Sequence, residues 1–131
     1  MIHVLFYMPV RDERAEAGLK MMEKASLAAR TEIFSSIEDL STWLRRLLSG
    51  VTIAVLYAPR AGDFQILLSI KELLQDVYVL LVLPDRKAST LSRGHMLNPR
   101  FLTFVDADPS DVGLVLTKMI ETYGNMSGTG P

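Results

Sequence analysis

The sequence predicts an α/β fold: a five-stranded parallel sheet of strand order 2-1-3-4-5, with helices on both faces, in three layers. Three observations predict it. First, four apolar runs are each stopped by a proline turn: residues 2–8 before Pro9, 51–58 before Pro59, 77–83 before Pro84, and 101–105 before Asp106-Ala107-Asp108-Pro109. Runs this continuous suit strands covered on both faces. Second, a shorter and more polar segment, Thr31-Glu32-Ile33-Phe34, suits a sheet edge. Third, amphipathic stretches separate these segments, so strand and helix alternate five times and right-handed crossovers place helices on both faces. In open sheets of this kind, ligands and chemistry sit at the carboxyl ends of the strands.

Each helix follows from its spacing. After the polar Arg11-Asp12-Glu13-Arg14, residues Ala15, Gly18, Leu19, Met22 and Ala25 fall on one helical stripe. Ser36 precedes Ile37-Glu38-Asp39 as a helix start, its hydroxyl able to accept from the amide near position 39. Ile37, Leu40, Leu44 and Leu47 form the second stripe, which stops at Ser49-Gly50. Asp63 is placed to cap the third helix, whose inner residues are Phe64, Leu67, Leu68 and Leu74. The fourth helix, around Leu91, Met96 and Leu97, contains Gly94 and is expected to be the shortest or most mobile. Asp111 lies at the start of the fifth helix, with Val112, Val115, Leu116, Met119 and Tyr123 facing inward. One domain over residues 1–123 results. Residues 124–131, rich in glycine, read as a flexible tail or linker stub.

Bulk composition narrows the function classes. A chain of 131 residues with 49% hydrophobic and 22% charged side chains can bury one core. A net charge of −1 supplies no long-range field toward nucleic acid or an anionic membrane. The chain has no cysteine, which excludes disulfides, a thiolate nucleophile and thiolate-bound metal. No apolar run approaches the ~20 residues that span a bilayer, and no basic leader precedes the first run. A cytoplasmic domain is the expectation. The first turn, Pro9-Val10-Arg11-Asp12-Glu13-Arg14, has no glycine-rich phosphate signature, and its acids would repel a phosphate.

The layout resembles the receiver domain of two-component response regulators, the CheY-like version of the flavodoxin-like fold, over the chain to about Tyr123. Residues 40–50 leading into 51–56 look like the receiver's second helix running into the strand that bears the phosphoacceptor. Pro59, Gly62 and Asp63 are similar to the turn that follows it. The resemblance implies two adjacent acids after strand one and an acceptor aspartate after strand three, together holding magnesium. It also implies a hydroxyl after strand four and a lysine after strand five. Here the first position carries Tyr7-Met8, with Asp12-Glu13 several residues later. The acceptor position falls at Leu56 or Tyr57, the hydroxyl position at Leu83 or Pro84, and the lysine position at Asp108. A degenerate (pseudo-) receiver that lacks aspartyl phosphorylation is the expectation, with no catalytic residues, no cofactor and no metal.

Two constellations remain as binding candidates. Tyr7 and Tyr57 end neighbouring strands, and side by side they could stack a planar ligand or anchor a partner; equally, both rings could plug the space of a lost metal site. Asp85, Asp106 and Asp108, with Asp111, share the same end of the sheet. Clustered carboxylates can bind a cation, whereas capping and turn roles already account for Asp85 and Asp111. His3 and His95 read as structural. Trp43, just off its helical stripe, fills the core margin or anchors an interface.

The sequence therefore points to a non-catalytic signalling or regulatory module. Its partner would be a protein or a second copy, held through the face made by helix four, strand five and helix five. The alternative is a small-molecule-binding domain or weak enzyme using a strand-end cleft around Tyr7, Tyr57, Asp106 and Asp108.

Overall fold

The computed structural model describes residues 2–25, 29–46 and 50–128. Along the chain run β1 (Ile2–Tyr7), α1 (Glu13–Ala25), β2 (Arg30–Phe34), α2 (Ile37–Leu44), β3 (Val51–Tyr57) and α3 (Ala61–Leu68). Then follow β4 (Tyr78–Leu83), α4 (Ala88–Gly94), β5 (Phe101–Phe104) and α5 (Pro109–Gly128). Among the described residues the strands form one sheet in the order β2-β1-β3-β4-β5, every pair parallel. The expected topology is the observed one.

Side-chain alternation divides the core in two. Val4, Phe6 and Met8 of the first strand and its end join Ile53, Val55, Tyr57, Leu80 and Val82 beneath α1 and α5. Leu5, Tyr7, Ala54, Leu56, Val79, Leu81 and Leu83 face the opposite way, beneath α2, α3 and α4. The middle strands β1, β3 and β4 are buried on both faces, which is why they read as unbroken apolar runs. Edge strand β2 has Arg30, Thr31, Glu32 and Ile33 exposed.

Ser36 caps α2 as its sequence predicts, accepting from the Asp39 amide at 3.2 Å. Leu47 of the predicted stripe lies outside the described residues. Asp63 does not cap α3: the chain turns helical earlier, with Arg60 in the cap position, and Asp63 stands buried in the first turn. There its carboxylate meets the positive end of the helix and accepts from the Arg60 guanidinium. The predicted third helix also breaks after Leu68, and a 3-10 turn, Lys71–Leu74, brings Leu74 into the core.

Helix α4 is the shortest α-helix described, and Gly94 ends it instead of interrupting it. A Cβ there would stand 3.1 Å from a Leu83 methyl and 3.4 Å from one of Leu102, so glycine permits close approach of α4 to the sheet. Helix α5 continues past Tyr123 to Gly128, overrunning the expected tail boundary. Once a helix is nucleated, each further residue adds a hydrogen bond, which offsets a glycine's cost of about 1 kcal/mol.

Two of the helical glycines, Gly62 and Gly94, give opposite expectations. Nothing lies within 4 Å of a Cβ built at Gly62. Gly62→Ala is expected to stabilise by about 0.5–1 kcal/mol, and Gly94→Val to destabilise by about 1–3 kcal/mol through overpacking. Urea unfolding midpoints of the two variants test the pair.

Candidate functional site

The carboxyl ends of the strands form the face on which this topology places ligands. At the centre stand Tyr7 and Met8 at the end of β1, Tyr57 and Ala58 at the end of β3, and Leu83 at the end of β4, all buried. Backbone bonds hold these ends together, the Met8 amide donating to Phe34 O at 2.8 Å and the Ala58 amide to Val82 O at 3.0 Å.

The expectation that Tyr7 and Tyr57 lie side by side is overturned. Tyr7 is level with Leu56, not Tyr57, in the β1–β3 ladder. Successive residues of a strand face opposite ways, so a shift of one residue sends the two rings to opposite faces of the sheet. Tyr7 packs with Leu40, Leu56 and Phe64, while Tyr57 packs with Phe6, Met8 and Val82. A single stacking platform built from both is therefore ruled out.

Each phenol has its own polar neighbourhood. The Tyr57 hydroxyl donates to both carboxylate oxygens of Asp12, at 3.1 and 3.2 Å. Asp12 also accepts from the Ala15 amide at 2.8 Å, which caps α1. Burial, then the nearby Asp12 carboxylate, pushes the Tyr57 phenol up to about 12. Tyr7 is raised as well, by burial first and then by the charge of Asp63. The Arg60 guanidinium holds Asp63 through two bonds of 2.9 Å, one to each carboxylate oxygen.

The aspartates share one end of the sheet but do not converge. Asp106 pairs with Arg86, one of whose terminal nitrogens lies 2.6 and 2.5 Å from its two oxygens, and Arg86 also lies 4.3 Å over the Phe104 ring. That hydrogen bond lowers the Asp106 carboxyl below its ordinary range. Asp85 is lowered by a bond from the Thr90 side chain and by the Lys87 amide, from which it accepts at 2.9 Å. Asp108 accepts from the Ser110 amide at 3.0 Å, which lowers it and caps α5. The capping role expected of Asp111 thus belongs to Asp108, because the helix begins at Pro109. Among the described residues, no three His, Asp or Glu side chains are grouped to hold a metal ion.

A cleft of about 500 Å³, counting its open mouth, lies between α1 and α5 above this end of the sheet. Met8, Ala15, Met22, Val82, Val105 and Val112 wall it, with Tyr57, Arg14 and Asp108 also lining it. Arg14 donates to Val105 O and so ties α1 to the end of β5. Of the four residues expected around a strand-end cleft, Tyr57 and Asp108 line this one. Tyr7 packs on the other side of the sheet, and Asp106 is drawn outward by Arg86.

Sequence pattern does not single out Asp12, Arg14 or the Arg60–Asp63 pair. The available signal was local: an aspartate three residues before the first buried stripe residue, and an arginine three residues before an aspartate. The two histidines also separate. His3 packs edge-on against Trp43 at 5.4 Å and is lowered by burial, then by Arg30. Trp43 is buried in the core, while His95 lies exposed in the 3-10 turn after α4.

The fold is the CheY-like version of the flavodoxin-like arrangement. Solved structures that match it include a CheY-like response regulator receiver domain from Methanospirillum hungatei, at 8% identity and a TM-score of 0.67, over 96% of this chain and 98% of the other. The beryllofluoride-activated NtrC4 receiver domain dimer matches at 12% identity and 0.63, over 92% and 98%. A pilus assembly-related protein from Burkholderia pseudomallei matches at 14% and 0.60, over 100% and 95%. No protein-family model and no curated protein matches the sequence. Among the described residues, no helix is long and apolar enough to cross a membrane.

Replacing Tyr57 by Phe keeps the ring in its pocket and removes its hydroxyl. The cost expected is about 0.5–1.5 kcal/mol, read by denaturant unfolding, since Asp12 is exposed and regains water. Linkage gives the sign at high pH. The native phenol ionises near 12, above its ordinary 10, so its stabilisation is complete below 10 and disappears as pH rises to 12. Tyr57→Phe is expected to flatten that decline in stability and to remove the latest-titrating phenol from an ultraviolet pH titration.

Proposed function

We propose that this chain is a signalling module with a receiver's fold that works through protein contacts and does not run aspartyl phosphorylation. The observation that carries the reading is the closure of the central strand ends by buried Tyr7, Met8, Tyr57, Ala58 and Leu83. Magnesium-dependent phosphotransfer needs several hard oxygen ligands around one ion and an acceptor carboxylate in line with them. Asp12 instead caps α1 and accepts from Tyr57, and Asp63 is held by Arg60. These residues do not fit a receiver's magnesium site, so switching would come from a partner or ligand.

For the contact surface, the α4–β5–α5 face is the first choice. Arg86, Phe104 and Asp106 form an ordered cation–ring–carboxylate cluster beside it, and Met96 is exposed after α4. The likeness in fold to the NtrC4 receiver domain, solved in solution as a dimer, agrees with a homodimer or a protein partner. The cytoplasm is the expected compartment.

Acetyl phosphate or beryllofluoride with magnesium is expected to leave the amide spectrum of the protein unchanged in heteronuclear NMR. Stoichiometric labelling at any aspartate would overturn the reading. A thermal-shift screen with nucleotides and divalent cations checks the small-molecule alternative, because a ligand bound only to the folded state raises the melting temperature.

A further inference from the structure

Strand β2 carries a pattern that neither the receiver likeness nor the α4–β5–α5 face uses. It is a terminal strand of the sheet, and Arg30, Thr31, Glu32 and Ile33 along it are exposed. In its parallel ladder with β1, Phe34 O accepts from Met8, so the backbone groups of Phe34 point inward to β1. Backbone direction alternates along a strand. Arg30 and Glu32 therefore also point their amides and carbonyls inward, while those of Thr31 and Ile33 point outward from the sheet.

We propose that this edge pairs with the same edge of a second copy, antiparallel, with Thr31 on the two-fold axis. In that register, Thr31 faces Thr31, so its outward amide and carbonyl both find a partner across the two-fold axis. Arg30 then stands opposite Glu32 of the second copy, twice by symmetry. These are the non-hydrogen-bonded positions, where facing side chains come closest. Both lie on the α2 side of the sheet, as their partners His3 and Leu5 show. A hollow of about 730 Å³, counting its open side, lies there among His3, Trp43 and Arg46, with room for the paired side chains.

The neighbouring register fails. Centring the pair on Glu32 would oppose two glutamates, and like charges directly opposite are destabilising. Charges on an edge strand commonly prevent pairing. Here their alternation permits one register and opposes the next, which suits a specific pair over open-ended aggregation. Ile33, exposed in the monomer, lies at the margin of this contact. A two-fold contact also closes on itself. With so short a strand the dimer is weak and concentration-dependent.

Sedimentation velocity on the whole chain at rising concentration tests it, with circular dichroism confirming that each variant folds. Arg30→Glu and Glu32→Arg are each expected to weaken the dimer by about tenfold or more. Combining the two substitutions restores it, because the charge pattern is again self-complementary. A dimer lost with Met96→Asp and kept by both reversals would sit on the α4–β5–α5 face and overturn the proposal. The proposal is overturned by a wild-type chain that stays monomeric throughout, by single reversals that leave the dimer intact, or by a double variant that is not rescued. Labelling at an aspartate would overturn the phosphorylation reading alone and leave this dimer standing.

Discussion

The structure depends on burying three adjacent strands on both faces at once. β1, β3 and β4 bring side chains to two separate cores, one under α1 and α5, the other under α2, α3 and α4. With no polar face available, almost every position must be apolar, and the apolar stretch runs on into the strand ends. Tyr7, Met8, Tyr57, Ala58 and Leu83 are buried for the same reason that Val4 and Leu80 are. The same constraint carries apolar and aromatic side chains into the strand ends, where the Tyr57 hydroxyl finds its partner in Asp12.

That same constraint decides what the sequence reveals. Continuous apolar runs broken by proline mark the central strands, and the polar Thr31-Glu32 segment marks an edge, so strand order follows. The register between strands does not. Tyr7 and Tyr57 look equivalent because each precedes a residue and then a proline, yet a one-residue offset puts them on opposite faces. Periodicity inside a strand fixes which residues share a face with one another, but two fully apolar strands carry no mark of their relative offset. Helix starts were legible where a hydroxyl signals the cap, as at Ser36. They were misplaced at Asp63 and Asp111, where more than one nearby residue could begin the helix.

Polar groups at the strand ends are used locally. Asp12 caps α1, Asp108 caps α5, Asp85 accepts from Thr90 and Lys87, Asp106 pairs with Arg86, and Asp63 pairs with Arg60. A carboxylate engaged in this way is lowered in pKa and held in one direction, which is how Asp85, Asp106 and Asp108 behave. Sequence alone shows four aspartates at one end of a sheet and cannot distinguish a shared ion from separate partners. Three-dimensional placement makes that distinction, since Asp85, Asp106 and Asp108 each have a different donor beside them.

On the proposed reading the domain acts through its surface, and its two sheet edges differ. β5 ends beside Phe104, Arg86 and Asp106, where an exposed cation lies over a ring and is fixed by a carboxylate. That cluster presents a preformed surface whose ordering cost is already met in the free protein, a feature that favours binding. β2 presents backbone instead, with outward amides at Thr31 and Ile33 and the opposite charges of Arg30 and Glu32 on either side of Thr31. Recognition at the first edge would be by side chains and at the second by main chain, with charge setting only the register. Because β2 and β5 lie at opposite ends of the sheet, occupying one does not obstruct the other. A self-pairing edge can therefore bring two partner-binding faces into one assembly, and effective concentration then raises avidity without any new contact at either face.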